Sequence, residues 1–313
     1  MSDAPFLSLS DIDLAGLGLT TVEIADCIES AVAKGAQGQV WTAPKAVVQP
    51  GDGRYMMATL SASDAPGVMV TKTVMISPEN YKQGLDTING AIMVFDSTTG
   101  LLRCVMGANW VTAVRTAGLS AVAARKMANP QSSVVAFVGT GVQARSHLDT
   151  FNDLFPLTGI RVFGRGRANI DKLCNAARAK GLTATVCDTA EDALSQADLI
   201  VTSITATFSG APFLDARWLK PGAFATVTDL GKPWMPEGMG AFSSIVIDDH
   251  AQESAAPVKM VAPDLVTADL AQIVTGDAPC GFNPDAPSAF IFRGMAVGDF
   301  AVAALAYERA QIK

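Results

Sequence analysis

At about 150 residues per domain, a chain of 313 residues has room for two domains or one elaborate one, with a core that needs no disulfide or metal staple. Hydrophobic residues make up 49% and charged residues 17%, which excludes a disordered chain. Lys plus Arg total 23 against 30 Asp plus Glu, and the net charge of −7 repels nucleic acid and anionic membranes while leaving room for a local basic pocket.

The N-terminus, MSDAPFLSLSDIDL, has no basic leader region, and no apolar run approaches the roughly 18 residues needed to span a bilayer. A cytoplasmic protein is the expectation. An amphipathic stretch over 21–34 predicts a helix capped by Thr20 or Thr21. Strand-like runs follow at 54–59, 68–74 and 91–95. They are separated by the turn signals Pro50-Gly51-Asp52-Gly53, Asp64-Ala65-Pro66-Gly67 and Thr98-Thr99-Gly100. This first part reads as α+β. From about Val111 the pattern changes. A small-residue helix over 113–127 leads into strands at Val134–Val138, Gly159–Phe163, 182–187, 199–203, 223–228 and Ser244–Ile247. Helices at 144–154, 170–180 and 190–196 lie between the earlier strands, so the order predicts βαβ units and a parallel sheet. An Ala-rich helix over 298–311 closes the chain and is free to return to the first domain.

The segment VVAFVGTGVQA, residues 134–144, carries the most chemistry. A strand runs into Gly139-x-Gly141-x-x-Ala144 at the opening of a helix, the arrangement that receives a dinucleotide pyrophosphate. Gly139 permits the tight turn, Gly141 lets the phosphates approach, and Ala144 allows close helix–strand packing. In an NAD site a carboxylate roughly 20 residues past the glycines takes the ribose 2′-hydroxyl. Here Gly164-Arg165-Gly166-Arg167 stands there, with no acid until Asp171. Arginine pairs with a 2′-phosphate, so NADP(H) is favoured over NAD(H).

Basic side chains are scarce in the first 118 residues, and Lys72 interrupts the apolar run VMVTKTVMI. Buried lysine and arginine need partners. For Lys72 and Arg115 an anionic substrate and an internal Asp or Glu are the alternatives. The five cysteines, Cys27, Cys104, Cys174, Cys187 and Cys280, form no C-x-x-C pair, which speaks against a disulfide framework or zinc ribbon. The two histidines, His147 and His250, read as packing or surface and as a helix-start cluster; no metal site is expected.

Taken in order, Gly53-Arg54, the Lys72 strand, Pro78-x-Asn80, Asp96-x-x-x-Gly100, Thr112-x-x-Arg115-Thr116-Ala117, GTGVQA and Asp299-x-Ala301-x-Ala303 resemble the ornithine cyclodeaminase/mu-crystallin family. The resemblance implies an α/β fold with a Rossmann dinucleotide-binding domain at 119–297. An α+β substrate-binding and dimerisation domain would be made from 1–118 with 298–313. It implies a homodimer through the N-terminal sheet and an enzyme using NAD(P)(H) on small amino or imino acids. Arg54, Lys72 and Arg115 would bind substrate, and Lys72 would also act on protons. Thr116, Gly139, Thr140, Gly141, Val142, Gln143 and Arg165 would hold the cofactor.

One departure concerns the Asp-x-Pro-Gly-x-x-Glu pattern of cyclodeaminases. Aligning Pro233 and Glu237 places Gly231 at the Asp position and leaves Asp229 two residues earlier, either as a displaced catalytic acid or as a strand-end turn residue. A second is Phe292-Arg293-Gly294-Met295, where Arg293 is either another anion contact or a salt bridge. The favoured activity is an NAD(P)H-dependent imine or ketimine reductase of the amino-acid dehydrogenase type, on a 2-imino acid such as pyrroline-2-carboxylate. The alternative is a cyclodeaminase-type or hydroxyproline dehydratase-type lyase that recycles bound nucleotide.

Overall fold

A computed structural model describes residues 5–205 and 208–312. The chain divides into two compact units, Met1–Gly118 with Met295–Lys313, and Leu119–Gly294.

The first unit is built on a mostly antiparallel sheet of β1 (Leu7–Leu9), β2 (Val40–Thr42), β3 (Ala46–Val48), β4 (Tyr55–Asp64), β5 (Gly67–Ile76), β6 (Ile88–Asp96) and β7 (Leu102–Gly107). Its order is β1-β7-β6-β5-β4-β2, with β3 also on β4 and β1 parallel to β7. Alternation decides the faces. Val68, Val70, Lys72 and Val74 of β5 point inward with Thr59, Ser61 and Ser63 of β4 and Ile92 and Val94 of β6. With the sheet go α1 (Asp11–Ala15), α2 (Thr21–Ala36), the opening of α3 (Ala108–Met127) and the closing helix of the chain.

Thr20 starts α2 with a capping box. Its hydroxyl accepts from Glu23 N at 3.2 Å while the Glu23 carboxylate accepts from Thr20 N at 2.8 Å. Ile24, Ile28, Ala31 and Val32 then form the buried stripe. Asp11 caps a different helix, accepting from Trp110 N in the first turn of α3 at 2.7 Å. Gly107 is required beside it, because a Cβ there would lie 2.7 Å from the Asp11 carboxylate. The closing helix of the chain, Ala296–Ile312, packs on the sheet and on α2. Its small residues allow burial on nearly every side.

The second unit is a parallel sheet of β8 (Val134–Val138), β9 (Gly159–Phe163), β10 (Thr183–Val186), β11 (Leu199–Thr202), β12 (Phe224–Val227), β13 (Ser244–Ile247), β14 (Val266–Asp269) and β15 (Ser288–Ile291). The helices are α4 (Val142–Leu154), α5 (Arg167–Ala179), α6 (Ala190–Ser195), α7 (His250–Ala255) and α8 (Leu270–Thr275), and the closing helix of the first unit is α9. The order β10-β9-β8-β11-β12-β15-β13-β14 reverses direction between β8 and β11, the switch point at which open α/β sheets bind ligands. The sequence pattern leaves β15 unread, although it lies between β12 and β13 and pairs with both. Among the described residues no helix is long and apolar enough to cross a membrane.

Candidate functional site

Lys72 sits midway along β5, opposite Thr59 on β4 and Ile92 on β6, so sheet alternation turns it inward. Only 1% of it is exposed. Its Nζ donates to Asp299 Oδ1 at 2.8 Å. Arg115 Nε lies 2.9 Å from the same oxygen, an ion pair without hydrogen-bond alignment. The internal carboxylate left open by the sequence therefore exists, and it is shared by two cations. Asp299 lies in the first turn of α9, where the helix dipole favours a negative charge.

Burial pushes the Lys72 ammonium down to about 8, and neighbouring Arg115 and Lys45 add to the shift against the opposing pull of Asp299. Burial is the larger part of that shift and the cationic neighbours the smaller. Burial raises the Asp299 carboxyl, but Arg115 and Lys72 outweigh it and hold it below its ordinary value. Three cations thus act on one carboxylate, leaving a surplus of positive charge suited to an anionic ligand. Lys45 was not singled out in the sequence, although its field reaches both Lys72 and Asp299. Arg54 is placed differently: its side chain is 58% exposed and its Nε pairs with Asp52 at 2.7 Å. The Asp-x-Arg spacing offered that local partner from the start.

In the second unit, Gly139 has φ +94°, and a Cβ there would stand 2.6 Å from the Ser203 carbonyl oxygen. Only glycine fits. Gly141 caps α4 without any side-chain hydrogen bond. A Cβ added to Gly141 would meet nothing within 4 Å, so open space lies ahead of the helix N-terminus. Thr140 is buried and packs beside Gly164, where a Cβ would lie 3.1 Å from its methyl group. Val142 is exposed, Gln143 lies in the first helical turn, and Ala144 is buried against the sheet. Backbone N–H groups at an uncapped helix start, reached past a glycine with empty space, fit the pyrophosphate of a dinucleotide. Arg165 is exposed beyond β9, while Arg167 pairs with Asp171 at 3.1 Å. Thr116 lies on α3 in the first unit, and its hydroxyl donates to the Thr112 carbonyl at 2.7 Å.

Asp229 follows β12 and is 4% exposed. It accepts from Thr202 Oγ1 and from Ile204 N, each at 3.1 Å. Burial pushes its carboxyl up to about 6 against these hydrogen bonds. Gly231 has φ +71°, and a Cβ on it would lie 2.7 Å from the Met260 carbonyl oxygen. The position aligned with the cyclodeaminase Asp is therefore closed to any side chain. Arg293 is structural: Nε meets Glu253 at 2.7 Å, and its backbone N–H donates to Asp248 at 3.0 Å. His250 opens α7 behind its cap Asp249. The five cysteines are free thiols, buried or half-buried; burial pushes Cys27 up to about 12.

Comparison with known proteins agrees over most of the chain. The mouse (Mus musculus) ketimine reductase mu-crystallin is 29% identical over 290 residues, covering 90% of each chain. The Delta(1)-pyrroline-2-carboxylate reductase of Bacillus thuringiensis subsp. konkukian is 27% identical over 252 residues, covering 76% of each. The solved Delta(1)-pyrroline-2-carboxylate reductase of Thermococcus litoralis, in complex with NADH and L-proline, has the same fold. Its TM-score is 0.88 at 22% identity, with 98% of each chain covered. The profile of the ornithine cyclodeaminase/mu-crystallin family matches residues 10–313, and the chain belongs to that family.

Proposed function

We propose that the protein is an NAD(P)H-dependent imine reductase acting on a small 2-imino acid such as pyrroline-2-carboxylate. The observation that carries this reading is the fully buried Lys72, held by Asp299 beside Arg115 with its ammonium brought down to about 8. Arg115 binds the substrate carboxylate, with Lys45 adding positive potential. The Lys72 ammonium gives its proton to the imine nitrogen and recovers one from water, a role suited to a group titrating near the working pH. Asp299 holds the lysine in place and keeps it charged below pH 8. Gly139, Thr140, Gly141, Val142 and Gln143 form the turn that receives the nucleotide pyrophosphate. The bound nicotinamide supplies the hydride that reduces the carbon of the C=N bond. Arg165, with no acid beside it until Asp171, supports a preference for NADPH. The roles of Thr116 toward the nucleotide and of Arg54 toward substrate rest on family resemblance alone.

The cyclodeaminase or dehydratase alternative draws on Asp229, a buried carboxyl poised near pH 6. Against it stands Gly231, where the chain admits no carboxylate. A homodimer belongs to the same proposal. Met56, Leu60, Met69, Met75 and Met93, each at least 38% exposed, share the sheet face opposite Lys72, and a second copy would cover them.

The test is oxidation of NADPH and NADH by the purified protein with pyrroline- and piperideine-2-carboxylate, and with pyruvate, glyoxylate or oxaloacetate mixed with ammonia or methylamine. Stoichiometric nucleotide oxidation with an imino acid supports the reductase. Silence across the panel, with ammonia or water released from ornithine or hydroxyprolines, supports the lyase. Light scattering of the wild type and of Met69→Lys tests the dimer.

A further inference from the structure

Three polar side chains lie completely buried in the second unit, outside the groups given roles above. His147 on α4, Ser120 on α3 and Thr226 on β12 are each 0% exposed. Ser120 Oγ is 2.8 Å from His147 Nε2 and 2.7 Å from Thr226 Oγ1, and His147 Nδ1 is 2.8 Å from the Gln143 carbonyl oxygen. Their chemistry fixes every proton. A carbonyl only accepts, so Nδ1 carries the ring hydrogen and Nε2 is bare. Ser120 therefore donates to Nε2, and having spent its one proton it accepts from Thr226. The relay runs in one direction, Thr226 to Ser120 to His147 to Gln143. Burial holds the imidazole neutral by pushing it down to about 4, and the edge of Phe151, 5.9 Å away between ring centroids, confines its plane.

The relay ends at a particular place. Gln143 lies in the first turn of α4, two residues past Gly141, and its carbonyl shares a rigid peptide plane with the N–H of Ala144. That N–H is one of the donors at the helix start without a partner one turn back. Fixing the carbonyl fixes the direction in which this donor points. An apolar trio of the same volume would fill the core as well without specifying that direction, whereas a buried polar chain is tolerated only when fully satisfied, as this one is.

We propose that His147 is a positioning residue of the nucleotide site: the Thr226–Ser120–His147 relay sets the first turn of α4, and affinity for the dinucleotide pyrophosphate depends on it. The inference rests on the reading that Gly139–Gln143 receives NAD(P)H.

The experiment is a direct fluorescence titration of NADPH and NADH with wild type, His147→Phe, His147→Gln and Ser120→Ala, beside steady-state kinetics and thermal unfolding. His147→Phe keeps the ring against Phe151 but removes both bonds. It should weaken both nucleotides by a similar factor of about ten, because the pyrophosphate is common to them. The loss should appear in the nucleotide KM far more than in kcat. His147→Gln, whose amide can donate to Gln143 and accept from Ser120, should recover most of the affinity. Ser120→Ala should fall between, and it carries the test if His147→Phe does not fold. Lowered thermal stability with unchanged nucleotide affinity would reduce the relay to core packing and overturn the proposal, as would a loss confined to kcat. Wild type binding neither nucleotide would instead overturn the nucleotide reading itself.

Discussion

Replacing Asp299 by Asn removes one charge from a cluster in which two cations share one carboxylate oxygen. The Lys72 Nζ lies 2.8 Å from that oxygen. At an effective dielectric of about 20, the gross attraction is about 6 kcal/mol. The two cations respond differently to its loss. Lys72 titrates near 8 in the wild type, so at pH 7 it can escape by releasing a proton at a cost of about 1.4 kcal/mol. A guanidinium has no such route, and a buried charge deprived of its partner costs about 3–5 kcal/mol. Most of the lost stability should therefore come from the arginine. The lysine should show its loss in catalysis. Burial and Arg115 both push its ammonium down and Asp299 pushes it up. The alkaline limb of the pH–kcat/KM profile, near pH 8 in the wild type, should then move about one to two units toward acid in Asp299→Asn. The assay is initial-rate imine reduction from pH 5.5 to 9.5, paired with denaturant unfolding at pH 7. Lys72→Met should lose about 100-fold or more in kcat. An alkaline limb that stays near pH 8 in Asp299→Asn would show that Lys72 is not the titrating group.

The two glycines of the turn should separate folding from binding. Gly141→Ala has ordinary backbone angles and open space, so its unfolding midpoint should hold within about 0.5 kcal/mol while nucleotide affinity drops about tenfold or more. Gly139→Ala must push the Ser203 carbonyl aside, so it should lower the thermal unfolding midpoint as well. Arg165→Ala should weaken NADPH about tenfold and leave NADH within about twofold, measured by titration. Burial pushes the Asp229 carboxyl up to about 6 in the folded chain, from the ordinary 3.8 of an aspartate. As pH rises the unfolded chain releases that proton first, so stability from this group is full below about pH 4 and gone above about pH 6. Relative to Asp229→Asn, the wild type should lose about 3 kcal/mol across that window, read from denaturant midpoints at each pH.

What the sequence made legible was local. The Val134–Val138 strand, the glycine turn and the opening of α4 follow from eleven consecutive residues, and the structure places the turn at the sheet's switch point. Helix α2 begins at the expected cap because Thr20 and Glu23 are three residues apart. What escaped was non-local. Asp299 pairs with Lys72 across 227 positions. The one hint was an acid in the otherwise apolar first half of α9, and nothing in that hint names its partner. Strand β15 consists of four residues after a stretch without regular structure, too short for periodicity to reveal, and its neighbours lie far away in the chain.

That strand governs the order in which the protein can be completed during synthesis. β13 and β14 leave the ribosome before β15, yet β15 is what joins them to β12. Until Ser288–Ile291 emerges, the parallel sheet has an open edge at β12 and a detached pair of strands. The next segment to emerge is α9, which carries Asp299 to Lys72 and Arg115. Both units are therefore closed by the same short stretch of chain, in quick succession. A product that stops short of Ser288 does not contain one finished unit and one damaged unit. It contains two unfinished ones, with exposed strand edges and two buried-type cations lacking their counter-ion, the features by which a cell's proteases and chaperones recognise a chain that has not folded.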